Sequence, residues 1–239
     1  MSRPALVAFA ACAAFGAAVA RTPVDATSPP ADADAPRIVQ AVCSACHGVD
    51  GNGVAPRYPA LAGQGAAYLF DQLQQFAAQG RRPDGGVMAA FAVNLDRPQM
   101  QALADYYARQ PRRPRRDNGG TTNVEGERIF MDGVADAHVP ACASCHGARG
   151  DGLPPRFPRL AGQHAGYLAQ QLRLYRSGTR ISDRDGLMRA VASRLNDHDI
   201  DAVASYAAAL HLRSFTRGAR NLRRTARSKT HLVFLEDLP

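Results

Sequence analysis

Two copies of one short pattern hold the residues with the most chemistry. Cys43, Cys46 and His47 read C-x-x-C-H, and Cys142, Cys145 and His146 repeat it. On a helical turn, positions i, i+3 and i+4 share one face. Two thiols at that spacing can form thioethers with the two vinyl groups of one haem, and the adjacent imidazole then reaches the iron from the same side. Other chemistries fit less well. A thioredoxin-like thiol pair needs a βαβ setting, and no run near either motif alternates like a strand. A structural zinc site wants four cysteines, or two cysteines with two histidines. Each copy here offers two cysteines and one following histidine, and the fifth cysteine, Cys12, stands apart.

The motifs sit inside a longer repeat. Residues 43–73 and 142–172 match at an offset of 99, with 18 of 31 positions identical. The match resumes at an offset of 100, with Met88 on Met188, Leu95 on Leu195 and Tyr106 on Tyr206. The chain is a tandem duplication. A methionine sulfur opposite the histidine gives a six-coordinate iron with a raised potential. Of the five methionines, Met1 is the initiator, and Met131 reads as a packing residue of a short helix over 125–130. Met100 aligns with Ile200 and lies on an apolar stripe with Leu103 and Tyr107, which assigns it to the core. Met88 and Met188 remain as aligned axial ligands, 41 and 42 residues past their histidines, each after a Gly-containing loop.

Other aligned positions support these ligands. Pro59 and Pro158 each fall 12 residues after the histidine, where a backbone carbonyl can accept the imidazole Nδ1–H. Leu61/Leu160, Tyr68/Tyr167 and Leu73/Leu172 are candidates for the wall of a haem edge. Arg57/Arg156 and Gln64/Gln163 are candidates for binding propionates, with exposed surface positions as the alternative. His138, His164, His198 and His211 have no aligned histidine and read as surface residues. Gly48, Gly51 and Gly53 mark the turn after the motif.

The elements that position these residues are helical, and the fold class is all-α. A short helix enters each C-x-x-C-H turn. A second covers about 65–79 or 164–177. A last helix starts at the N-caps Asp96 or Asn196, with Pro98 in the first turn of the former, and ends near Arg109 or Leu210. With 46% apolar and 21% charged residues the chain is globular in composition. It has no Trp, so a haem would also supply the large apolar body at the centre of each small module.

Residues 1–20 read as an export signal, with Arg3 at the start, an uncharged apolar run and a small-residue Ala18-Val19-Ala20 end. An uncleaved anchor is the alternative, and Cys12 would leave with a cleaved signal. Residues 21–33 form a flexible lead-in, 34–110 the first module, 111–120 an Arg/Pro linker, 121–212 the second module and 213–239 a basic tail. The net charge of +8 is not spread over a folded face: the tail alone carries +5. That pattern excludes a nucleic-acid-binding domain. The tail is assigned no fold; it is a disordered end, a tether to acidic surfaces, or an aberrant end of the reading frame.

Residues 34–212 resemble the dihaem cytochrome c4 family. The resemblance rests on the doubled C-x-x-C-H-G, on P-x-L-A-G-Q at Pro59 to Gln64 and Pro158 to Gln163, on Y-L-x-x-Q-L at Tyr68 to Leu73 and Tyr167 to Leu172, and on the late methionine before a helix ending in Tyr. It implies two class I cytochrome c domains related by a pseudo-twofold, two covalently bound haem c groups, and propionates facing each other at the interface. It also implies a periplasmic carrier, free or membrane-associated through tail or signal. Its donor would be quinol–cytochrome c reductase, and its acceptor a terminal oxidase, often of the cbb type. Alternatives are an electron-accepting subunit of a dehydrogenase, or a dihaem enzyme such as a peroxidase or thiosulfate dehydrogenase. Two departures stand out: Pro36 lies near the place of a usual glycine, which Gly126 fills in the second module, and residues 131–141 are longer than their counterpart.

Overall fold

The chain is described by a computed structural model over residues 31–78, 80–81, 85–113 and 123–210. The signal, most of the lead-in and linker, the basic tail and His211 lie outside the described residues. In the first module α1 (Ala31–Ile38) runs through a π-helical turn, Val39–Cys43, into α2 (Ser44–His47). There follow α3 (Ala66–Ala77), α4 (Val87–Ala92) and α5 (Arg97–Arg109). The second module repeats the order: α6 (Val124–Asp132), α7 (Ala143–His146), α8 (Ala165–Arg176), α9 (Leu187–Ala192) and α10 (197–210). Among the described residues there is no sheet. Two isolated bridges occur, Val134 with Val139 and Leu153 with Phe157. No described helix is long and apolar enough to cross a membrane.

The last helices start where their caps dictate. Asp96 accepts from the Gln99 N–H at 2.8 Å and the Gln99 side chain returns a bond to Asp96 N, a full capping box. Asn196 accepts from Asp199 N at 2.9 Å in the same way. From these starts α5 buries Met100, Leu103 and Tyr107, and α10 buries Ile200, Val203 and Tyr206. In the first module α1 and α3 pack on α5, so Ala35, Val39, Leu69 and Leu103 share one core. In the second, Ile129, Phe130, Leu168 and Ile200 do the same. Burying each of the larger of these side chains (Val, Leu, Ile, Phe) contributes about 1.5–3 kcal/mol.

One detail differs from the sequence reading and three add to it. Met131 is exposed rather than packed, because α6 turns Ile129 and Phe130 inward instead. Pro36 is exposed, and its neighbour Ala35 is the residue buried against α5. The short helices α4 and α9, which carry Met88 and Met188, have no signal in the sequence: each is only six residues long and offers no periodic pattern. The longer stretch 131–141 forms a single 3-10 turn, Ala135–Ala137, closed by the Val134–Val139 bridge.

Candidate haem sites and the interface between them

Each C-x-x-C-H motif closes a helix. In both modules the turn after the motif folds back on it: Gly53 N donates to His47 O at 2.8 Å, and Gly152 N to His146 O at 2.9 Å. This return places the proline carbonyl beside the imidazole. His47 Nδ1 lies 3.1 Å from Pro59 O and His146 Nδ1 lies 2.9 Å from Pro158 O. A carbonyl only accepts, so each Nδ1 carries the proton and the lone pair resides on Nε2, the nitrogen suited to iron. An aromatic edge stands beside each ring, Tyr58 at 6.4 Å and Phe157 at 6.1 Å between centroids. Sequence spacing does not single out these aromatics, although they align with each other.

Burial sets the electrostatics. It pulls the His146 pKa below the ordinary imidazole range, against the Pro158 bond that raises it, so the ring is neutral as a metal ligand must be. Burial likewise pushes the Cys142 thiol up to about 11 and raises the Cys43 thiol. Cys43, Cys46, Cys142 and Cys145 are half-buried, and neither pair is joined as a disulfide. Among the described residues no group of three or more His, Cys, Asp or Glu converges into a metal cage, so a structural zinc site has no donor set. Paired thiols beside a neutral, oriented imidazole fit a covalently held haem.

The supporting positions divide. Leu61 and Leu73 pack on the first core with Cys43, and Leu160 and Leu172 on the second with Cys142. Met88 and Met188 lie half-buried in the first turns of α4 and α9, which pack on α3 and α8. Arg57 stacks over Tyr58 at 4.8 Å, and Arg156 pairs with Asp185 at 2.8 Å. Gln64 and Gln163 are not surface residues. The Gln163 amide clamps Ala60 N and O at 2.9 Å each, and the Gln64 amide clamps Arg159 N and O at 2.9 Å each. These four bonds join the modules about a pseudo-twofold. His164 also departs from the surface reading: it is 1% exposed, at the interface against Gly53. His138 and His198 are exposed as read.

The Gln163 clamp yields a direct expectation. Gln163→Ala strands the N–H and C=O of Ala60, which is 2% exposed. Each unpaired buried group costs about 1–3 kcal/mol. The variant should unfold several degrees lower, and amide exchange at Ala60 should accelerate while exchange within α5 does not. Unchanged melting would mean that the clamp contributes nothing.

A second pseudo-symmetric set also crosses the interface; it includes Tyr68 and Tyr167, read from the sequence as candidates for the wall of a haem edge, and two arginines, Arg81 and Arg180, that the sequence reading did not single out. Arg81 donates to Gln72 Oε1 at 2.8 Å, to Gln171 Oε1 at 3.1 Å and to Tyr167 Oη. Arg180 donates to Gln171 Oε1 at 2.7 Å, to Gln72 Oε1 at 2.9 Å, to Tyr68 Oη at 3.1 Å and to Ser182 Oγ at 3.0 Å. Arg81 stacks over Phe76 and Arg180 over Tyr175, at 4.6 and 4.4 Å. Every pair is related by the offset of 99, so continuing the repeat alignment past residue 73 would find Phe76/Tyr175 and Arg81/Arg180. Tyr68 and Tyr167 thus each direct a hydroxyl to the other module's arginine. Burial pushes the Tyr68 hydroxyl up, but the two guanidiniums outweigh it and leave its pKa lowered.

A helical module entered through C-x-x-C-H, repeated once and clamped to its copy, defines a dihaem c-type cytochrome. The family described as "Cytochrome C oxidase, cbb3-type, subunit III" matches residues 30–106, and the family described as "Cytochrome c" matches residues 124–210. The chain belongs to the cytochrome c4 family: it is 40% identical over 190 residues to cytochrome c4 of Azotobacter vinelandii, covering 75% of this chain and 90% of that one. The crystal structure of reduced recombinant cytochrome c4 from Pseudomonas stutzeri superposes with a TM-score of 0.67 at 38% identity, covering 77% of this chain and all of that one. A protein named thiosulfate dehydrogenase electron acceptor, from Thiomonas intermedia, is 41% identical over 172 residues, covering 71% of this chain and 78% of that one. The chain is therefore an electron-transfer protein with two covalently bound haem c groups, on Cys43/Cys46 and Cys142/Cys145.

Proposed function

We propose that His47 with Met88 and His146 with Met188 are the axial ligands of two low-spin haems in a periplasmic electron carrier. The haems supply one-electron chemistry; the chain orients each imidazole, shields the sites and holds the two modules together. The carrying observation is the equivalence of the modules. Both imidazoles donate to a proline carbonyl at 2.9–3.1 Å, and both methionines open a short helix behind a left-handed glycine, Gly86 and Gly186. A dihaem enzyme needs one iron with an open or displaceable ligand, and that asymmetry has no counterpart in these two sites. In this reading residues 1–20 are removed on export, 34–110 and 121–212 are the two domains, and the donor is a quinol–cytochrome c reductase with a cbb-type or other terminal oxidase as acceptor.

The test is the spectrum of the oxidised protein. It should show the weak long-wavelength methionine–iron charge-transfer band at the intensity of two haems. A high-spin ferric haem in the unaltered protein would instead favour the enzyme. A mass measurement on exported protein should give the chain without residues 1–20 plus two haems.

A second reading has its own support: the relative named thiosulfate dehydrogenase electron acceptor matches at 41% identity. Stopped-flow mixing with reduced thiosulfate dehydrogenase and, separately, with reduced quinol–cytochrome c reductase separates the two. Fast reduction by the dehydrogenase alone would make it the partner.

A further inference from the structure

The two modules differ beside their first cysteines. Tyr106 aligns with Tyr206 at the offset of 100, and the next position sets Tyr107 against Ala207. Tyr107 is 4% exposed and packs in the same core as Cys43. Its ring rests on the turn after the first motif: a Cβ on Gly51 would lie 2.5 Å from Tyr107 Cδ1. In the second module the aligned turn glycine, Gly150, meets Leu210 Cδ1 instead. An aliphatic group thus fills the space that holds a phenol in the first module, and the phenol brings a proton donor with it.

That donor has two acceptors in reach. Tyr107 Oη lies 3.5 Å from Gly48 O, the outer limit of a hydrogen bond. It also stands beside the Cys43 sulfur, where its hydrogen bond opposes the rise that burial gives the thiol pKa. Burial lifts the Tyr107 pKa above the ordinary phenol range, so the hydroxyl keeps its proton. A free thiol and a phenol can each donate to the other. A thioether has no proton, so once Cys43 carries its haem only the phenol can donate and the sulfur must accept. The second module has the opposite polarity. Cys142 Sγ lies 3.9 Å from Ile129 O, a carbonyl that only accepts. Ser144 Oγ lies 3.8 Å from Cys145 Sγ, but its one proton has a shorter bond to Ala141 O at 2.6 Å.

We propose that Tyr107 tunes the first haem through Cys43: its hydroxyl donates to the thioether sulfur and favours the reduced state of that haem alone. This deepens the two-haem reading and rests on it. A hydrogen bond draws electron density from a sulfur bonded to the macrocycle, and an electron-poorer macrocycle holds an added electron better; hydrogen bonding around a haem is one lever on its potential. The iron gains one electron, and the phenol keeps its proton in both states. In the half-reduced protein the hydroxyl therefore draws the electron toward the first module.

The experiment is potentiometry of the holoprotein followed by proton NMR, which reads the two haems separately. Tyr107→Phe keeps the ring and removes the hydroxyl. The first haem should fall in potential and the second should stay. The electron of the half-reduced protein should shift toward the second haem by about two- to fivefold, the lower part of what one hydrogen bond supplies. Tyr106→Phe, which removes a hydroxyl bonded to Val49 O at 3.1 Å, should leave both potentials in place. A Tyr107→Phe protein with two low-spin haems and unchanged potentials would overturn the proposal. So would an equal fall at both haems, or an equal fall in Tyr106→Phe, since either marks a general loosening. If Tyr107→Phe does not hold its haem, NMR of the reduced unaltered protein decides. The Tyr107 hydroxyl proton should show a nuclear Overhauser contact to the thioether bridge at Cys43, and its absence refutes the idea. Loss of the methionine–iron band in the unaltered protein would count against the axial ligation instead, and the Tyr107 contact at Cys43 is read independently of that band.

Discussion

Replacing Met188 by Ala should turn one of the two haems high-spin and leave the other spectrum intact. Met188 lies in the first turn of α9, whose start at Leu187 directly follows Asp185 and Gly186, both at positive φ of 58° and 69°. That reversal, and the packing of α9 on α8, hold the side chain in one place. Without the thioether a water or hydroxide completes the coordination and favours the ferric iron. Axial-ligand identity spans about 0.8 V in haem proteins, so the affected potential should fall by a large part of that range. Met88→Ala should do the same to the other haem alone, because Gly86, at φ 96°, sets up α4 in the same way. Absorption, electron paramagnetic resonance and potentiometry report the three parts of this result. An unchanged spectrum in either variant would remove that methionine as a ligand.

Gly126→Ala should be among the most damaging small substitutions in the fold. Helix α6 crosses α10 at this residue so closely that a Cβ would lie 2.8 Å from both Ala202 C and Tyr206 Cβ, and closer still to Ala202 O. Backbone atoms cannot give way as a flexible side chain can. Relief requires the helices to part, which also loosens Phe130 against Tyr206, now 5.5 Å between centroids. Overpacking typically costs 1–3 kcal/mol, and a backbone clash belongs at the upper end, about 3 kcal/mol. For a domain of this size that is on the order of 10–20 °C in Tm. Only the second module should melt early, followed by the absorption of its haem. Ala35 gives the control: it is already an alanine buried at the α1–α5 contact, so Ala35→Gly should not stabilise the first module through relief of a clash. A Gly126→Ala protein that melts like the unaltered one would show that the helices have room to move apart.

What the residues disclose by their order alone is local chemistry repeated at a fixed offset. C-x-x-C-H, the proline 12 residues on, and the capping residues Asp96 and Asn196 all act within a short span of chain, so spacing locates them. The interface is hidden for the opposite reason. Gln64, Gln163, Arg81 and Arg180 reach partners in the other module about 86–112 residues away, and a glutamine or arginine reads as surface until such a partner is known. His164 misleads on the same ground: without an aligned histidine it looks exposed, yet the opposing module covers it. The helices α4 and α9 are invisible because six residues show no period. Met131 misleads because a short helix has one inward face, and Ile129 and Phe130 already occupy it.

The two glutamine clamps grip the residues that immediately follow Pro59 and Pro158. Each imidazole is therefore one peptide unit from the seam between the halves. The spacing of the two bound metal centres would be set at that seam, where Arg112 from the start of the Arg- and Pro-rich strap also bonds Ala62 O and Ala161 O, rather than by the strap's length. Lengthening the strap should leave the internal hop of an electron as fast as before, whereas breaking a clamp should slow it.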